Sequence, residues 1–202
     1  MRIKVLLTTP LLLVVVGSLA GILATGPATT AVADEEADAK PSLVSVGAQA
    51  PSLRLLDTAG TRHTLRALKG KKVVLLSFPT VTCPVCTGSA PAHARIFDKF
   101  KDSEGFAFWG VYPRVDAETL KAYGKEHDLK YPLLLDSNGR GKAAYGVTIT
   151  PTLVLVGKDG KVLAVSVGWT DDTEKRLVSQ IEAALGGKPV PDASPEAQPG
   201  RG

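Results

Sequence analysis

The stretch Phe78–Pro91 reads FPTVTCPVCTGSAP and holds both cysteines of a 202-residue chain, Cys83 and Cys86, three positions apart. Immediately upstream, Lys72–Phe78 (KVVLLSF) is a short, continuous apolar run rich in β formers, the pattern of a central strand buried on both faces. The cysteines therefore fall where that strand gives way to a helix. A cysteine at a helix N-terminus faces unpaired backbone N–H groups and the positive end of the helix dipole, which favour thiolate over thiol. Cys83 is the expected nucleophile. Cys86, one turn later on the same face, is expected to be more buried and placed to attack a mixed disulfide formed on Cys83. Pro84 suits the first helical turn, which needs no N–H from it, whereas Pro91 deletes one hydrogen bond inside the helix.

Other uses of two cysteines can be weighed on the same residues. Covalent haem attachment needs a histidine directly after the second cysteine, and Thr87 stands there. A structural zinc site needs four ligands, and the only histidines, His63, His93 and His127, are scattered singly. His93 follows Cys86 by about two helical turns and is expected at the surface. A Cu(I)-binding thiol module stays open, since two thiolates suit that ion. So does a peroxiredoxin-like thiol peroxidase: Thr80 stands three before Cys83, as P-x-x-x-T-x-x-C requires, but Leu76 occupies the proline position and Pro79 is misplaced for it. An inert disulfide closing so small a loop would constrain the unfolded chain little.

Further strand-like runs follow at Phe106–Tyr112 (FAFWGVY), Pro132–Asp136 (PLLLD) and Thr152–Gly157 (TLVLVG). Lys158–Gly160 (KDG) supplies a hairpin turn into KVLAVSVG, so the last two strands are expected to be antiparallel neighbours. Ser52–Leu65 (SLRLLDTAGTRHTL) reads as two strand segments around a turn at Ala59 and Gly60. Asp116 can cap a helix reaching His127, Gly139–Tyr145 holds a shorter one, and Asp171 with Glu174 forms a capping-box pattern ahead of a helix closing near Gly186. The sum is an α/β sandwich with a mixed sheet, its central strands parallel and its last hairpin antiparallel.

The ends of the chain set the compartment. Arg2 and Lys4 precede an apolar run strongest over Leu11–Leu23, and Ala31 and Ala33 flank an A-x-A cut, the order of a secretory signal peptide over residues 1–33. The alternative is a retained N-terminal anchor, interrupted by Thr8, Thr9 and Pro10. Either way the remainder is expected in a periplasmic or other extracytoplasmic space, where a disulfide persists. Loss of Arg2 and Lys4 lowers the formal charge from +4 to +2. That balance, and basic clusters as short as Lys69–Lys72, give no reason to expect nucleic acid. Residues 34–42 read as a linker, 43–187 as one domain, and 188–202 as a Pro-rich tail expected not to fold.

The succession VGAQAPSLRLLDTAGTRHTLRALKGKKVVLLSF, then CPVC with Pro91, then LLLDSNGRGKAAYGVTITPTLVLVGKDGKV resembles the TlpA/ResA-like branch of thioredoxin-fold proteins, within the wider redoxin group, over most of the folded chain. The resemblance implies a thioredoxin-like three-layer sandwich, a mixed central sheet flanked by helices, with an N-terminal strand/hairpin extension. It implies a thiol-disulfide oxidoreductase acting through Cys83 and Cys86, with no cofactor beyond that redox-active pair. It makes Pro151 the family's cis-proline and gives the Thr150 backbone a β-like contact with bound peptide, so substrate is expected at Pro84, Val85, Thr150 and Pro151. Protein thiols and disulfides are the implied partners, together with a membrane or periplasmic redox partner and a place in cytochrome c or copper-site maturation. Contact with the membrane itself is expected only if the N-terminal segment is uncleaved. No metal is expected at the site. Departures are visible: Thr82 and Pro79 replace aromatic positions before the first cysteine, Ser89 replaces a glutamate, and Ser77 replaces the buried acid of thioredoxins. Proton exchange at Cys86 is left to Glu104, Asp136 or water.

Overall fold

The computed structural model describes residues 42–192. The expected signal peptide or anchor, the linker except its last residue, and the tail from residue 193 lie outside the described residues. Seven strands form one sheet in the order β2-β1-β5-β4-β3-β6-β7. They are β1 (Arg54–Asp57), β2 (Arg62–Thr64), β3 (Val73–Phe78), β4 (Phe106–Pro113), β5 (Leu133–Asp136), β6 (Thr152–Val156) and β7 (Val162–Val167). β3, β4 and β5 run parallel, whereas β6 lies antiparallel to β3, and β7 to β6. The expected N-terminal hairpin is β1–β2, and it extends the sheet by pairing β1 antiparallel with β5.

All six residues of β3 are buried, as a continuous apolar run in mid-sheet demands. Because successive side chains point to opposite faces, this one strand feeds two cores. Val73 and Leu75 face Ile96, Phe100, Leu120, Leu177 and Ile181. These come from α1 (Pro84–Phe100), α2 (Ala117–Glu126) and α4 (Thr173–Leu185). Val74, Leu76 and Phe78 face the other way, toward Ala50, Leu53, Leu65, Tyr145 and Val147. That thinner layer consists of the N-terminal segment, a single 3-10 turn (Leu65–Leu68) and the short helix α3 (Arg140–Ala144). It is tied down by Tyr145, whose hydroxyl donates to the Pro51 carbonyl at 2.8 Å. The three layers are those expected.

Helix boundaries follow local chemistry. Asp116 caps α2 by accepting from the Thr119 N–H at 2.8 Å. The β6–β7 turn uses Gly160 at φ 83°, a value open to glycine, with the Asp159 carboxylate accepting from the Lys161 N–H. At α4 the expected Asp171–Glu174 capping box does not form. Asp172 is the N-cap and its side chain makes no capping bond. Glu174 instead turns to α1, where its two oxygens accept from Arg95 Nε at 2.9 Å and Nη2 at 2.6 Å, because a bidentate guanidinium is the stronger partner. The first residues of the Pro-rich tail also depart from expectation. Val190 packs on the core, and Gln180 Nε2 donates to the carbonyls of Pro191 and Asp192, so ordered contact continues through Asp192.

Candidate active site

The site forms where the buried strand β3 ends and α1 begins. Cys83 is the N-cap of α1 in extended conformation, with Pro84 at the first helical position. Its sulfur accepts from the Cys86 backbone N–H at 3.3 Å, one of the donors that a helix N-terminus leaves unpaired. Both cysteines are free thiols, Cys83 half-buried and Cys86 buried. Thr150 comes from the loop before β6, and its carbonyl accepts from the Cys83 thiol at 3.6 Å. The Thr150–Pro151 peptide is cis. Thus Cys83, Cys86, Thr150 and Pro151 meet at one end of the sheet, and Pro84 is exposed beside them. Val85, between the cysteines, is 49 % exposed, and Ile149, next to Thr150, is 57 % exposed.

The two thiols differ electrostatically. Partial burial works against charge on Cys83, but hydrogen bonds from the Cys86 thiol and N–H, the Thr150 hydroxyl and the Val85 N–H outweigh it and hold its pKa below the ordinary thiol value. Burial pushes Cys86 the other way, and the neighbouring Cys83 adds to this, so its pKa rises to about 11. The half-buried sulfur of Cys83 is the better thiolate, and the buried one of Cys86 holds its proton more tightly.

Neither acid suggested for proton exchange reaches Cys86 in this arrangement. Glu104 precedes β4, at the end of the sheet opposite the cysteines. Asp136 is buried at the end of β5, where its carboxylate accepts from the Gly141 and Lys142 N–H groups at 3.0 and 2.8 Å and so anchors α3. Tyr112 and Tyr123 are within electrostatic reach of Cys86, and Tyr123 also meets the Thr87 side chain. The Tyr112 and Tyr131 rings converge over Gly110, the residue registered opposite Ser77. The Ser77 hydroxyl, at the place of the thioredoxin acid, is buried with no hydrogen-bond partner, as is that of Tyr131. Sequence reading missed these tyrosines; for Tyr112 the signal was the period-two pattern Phe108, Gly110, Tyr112 on β4.

His93 is a correction. Expected at the surface, it is 2 % exposed, wedged edge-on against Trp169 and Phe108, and its Nε2 has no hydrogen-bond partner. Its spacing of three and seven to Ile96 and Phe100 puts it on the buried face of α1, and that periodicity was available in the sequence. Burial lowers its pKa to about 4, with Glu174 working weakly in the opposite direction. His63 is paired to Asp57 at 2.8 Å and His127 ends α2, so the three histidines lie on separate elements. Among the described residues no three His, Cys, Asp or Glu side chains form a metal-binding group. The contact between Thr80 and Cys83 is a backbone one, Cys83 N–H to the Thr80 carbonyl at 3.3 Å.

Fold and site together define a thioredoxin-fold oxidoreductase. The redoxin family profile matches residues 45–185, and the chain belongs to that family. It is 33 % identical over 125 residues to the thiol-disulfide oxidoreductase ResA of Bacillus subtilis strain 168, covering 62 % of this chain and 69 % of that protein. It is 29 % identical over 143 residues to ResA of Bacillus thuringiensis subsp. konkukian, covering 71 % and 80 %. Among solved structures, one assigned as the thiol:disulfide interchange protein DsbE of Chlorobium tepidum superposes with a TM-score of 0.65 at 30 % identity, over 72 % of this chain and all of that one.

Proposed function

We propose that Cys83 and Cys86 are a redox-active pair that exchanges a dithiol for a disulfide with protein substrates outside the cytoplasm. The observation that carries this reading is a sulfur at the helix N-cap, accepting from the Cys86 N–H at 3.3 Å, one turn before a buried second thiol. In the reducing direction the Cys83 thiolate attacks one sulfur of a substrate disulfide. A Cys83–substrate bond forms, the substrate S–S bond breaks, and the released thiolate takes a proton. Cys86 then gives up its proton and its sulfur attacks Cys83, expelling the second substrate thiolate, which is protonated in turn, one of the two protons coming from Cys86 and the other from water. The substrate gains two electrons and two protons, and the pair leaves as a disulfide. The oxidising direction runs these steps backwards. No bound cofactor is needed, because the two sulfurs carry both electrons.

Val85, Thr150, Pro151 and Pro84 surround the nucleophile and are the substrate contacts in this reading. An extracytoplasmic location is supported by the charged, apolar, small-residue order of residues 1–33. The names of the ResA relatives support thiol-disulfide chemistry, and the resemblance to the TlpA/ResA-like branch supports cysteine pairs of apocytochromes or copper-site proteins as substrates. Trapping tests the mechanism. Cys86→Ser should accumulate covalent adducts, stable on non-reducing gels and released by dithiothreitol, while Cys83→Ser should form none. Adducts on Cys83→Ser alone would overturn the assignment of the nucleophile.

A further inference from the structure

A concave cleft of about 640 Å³ opens beside the nucleophile, and nothing in the exchange chemistry uses it. Its walls come from the segment leading into Cys83 (Thr80–Thr82), the end of β4 (Pro113–Asp116) and the start of α3 (Gly139, Lys142). These are the carboxyl ends of three neighbouring parallel strands, the end at which open α/β sheets bind ligands. Two cations line it, Arg114 and Lys142. Elsewhere Arg95, Lys99, Lys101 and Lys130 each hold a carboxylate, whereas neither Arg114 nor Lys142 has a side-chain ion pair or hydrogen bond among the described residues. The one acid in the wall, Asp116, stays ionised but pairs with neither, its two oxygens accepting from Thr119 through its N–H at 2.8 Å and its hydroxyl at 2.7 Å, so the lining keeps two cations against one carboxylate.

The backbone keeps Arg114 there at a cost. It sits at φ 53°, a region uncommon for any residue but glycine, and its N–H donates to the Asp136 carbonyl at 3.1 Å. Its side chain lies across Gly139, where an added Cβ would come within 3.4 Å of Nε. Lys142 is placed by Asp136 as well, through its own backbone N–H. One buried residue, Asp136, thus anchors the backbone of both cationic residues at the cleft.

We infer that this cleft docks a carboxylate-bearing segment of the protein substrate. The preferred partner is an acidic polypeptide whose reactive cysteine lies within a few residues of Asp or Glu. Its apolar neighbours would contact Val85 and Ile149 while its carboxylate meets Arg114 and Lys142 across Thr82. The inference rests on the thiol-disulfide exchange proposed above, and it adds the substrate's charge.

The test uses the full chain in its dithiol form and two synthetic peptides. Each carries one cysteine activated as a 2-pyridyl disulfide, and they differ only in two Glu or two Gln residues flanking it. Release of 2-thiopyridone reports attack by Cys83. At low salt the Glu peptide should react roughly three- to ten-fold faster, the range of one or two exposed ion pairs. The ratio should fall toward one in 1 M salt, where charges are screened within about 3 Å. It should also fall toward one in the R114Q/K142Q double variant. Equal rates for both peptides at low salt, or a preference that survives in the folded double variant, would overturn the inference. So would a dependence on Arg114 and Lys142 seen with glutathione disulfide but absent from the peptide pair. Failure of both peptides to react at all would instead sink the exchange reading itself.

Discussion

The sulfur of Cys83 lies 3.6 Å from the carbonyl oxygen of Thr150, across 67 positions of sequence. The same residue's hydroxyl helps to hold Cys83 below the ordinary thiol range, so a loop residue before β6 tunes a nucleophile that follows β3. Alkylation of the reduced protein by iodoacetamide should therefore show a midpoint for Cys83 below that of an unperturbed thiol. Thr150→Val should move that midpoint upward. In Cys83→Ser, Cys86 should resist alkylation at neutral pH, because burial remains its largest influence. Equal reactivity of the two thiols at pH 7 would contradict the assigned roles.

His93 links the site helix to acid stability. Its native pKa, about 4, lies below the ordinary histidine value of 6.5. Native His93 stays neutral while the unfolded chain takes up a proton, so its contribution is fully present above pH 6.5 and is lost as pH falls toward 4. The difference between those two values corresponds to roughly 3 kcal/mol. Denaturant titrations across this window should give a shallower pH slope for His93→Leu than for the parent protein. Identical slopes would show that His93 is accessible to protons in the native fold.

Gly110 is required by its neighbours and not by its own backbone. A Cβ there would stand 2.7 Å from Tyr112 Cε2 and 3.0 Å from Tyr131 Cε2, against two packed rings. Gly110→Ala should cost about 1–3 kcal/mol through overpacking, measurable as a lower urea midpoint. A variant as stable as the parent would mean that the tyrosines can move aside.

Ser77 makes the opposite prediction. Its hydroxyl is buried without a partner, so Ser77→Ala removes a desolvated polar atom and no hydrogen bond. Stability should stay within about 1 kcal/mol of the parent or rise. A loss beyond about 2 kcal/mol would reveal a buried water held by Ser77 and the tyrosines.

Local chemistry was legible in the chain. A continuous apolar run gave β3, the two-sided burial of that run required helices or loops on both faces, and Asp116 marked the start of α2. The cysteine spacing placed Cys83 at the helix N-cap and Cys86 inside, because a helix returns to the same face after three or four residues. Long-range choices were not legible. Glu174 had a plausible local role as a capping residue and took Arg95 on another helix instead, since side-chain pairing across elements depends on which helices pack together.

What the sequence determined by itself was the position and order of the two thiols, along with the mixed α/β layering, for these follow from periodicity and backbone propensity. The tertiary structure alone decided their chemistry. It brought Thr150 to Cys83, buried Cys86 within electrostatic reach of Tyr112 and Tyr123, packed His93 against Trp169, and set Arg114 and Lys142 in the cleft beside the nucleophile. The reason is physical: thiol acidity and charge recognition depend on distances between groups remote in the chain, and only the sheet order sets those distances.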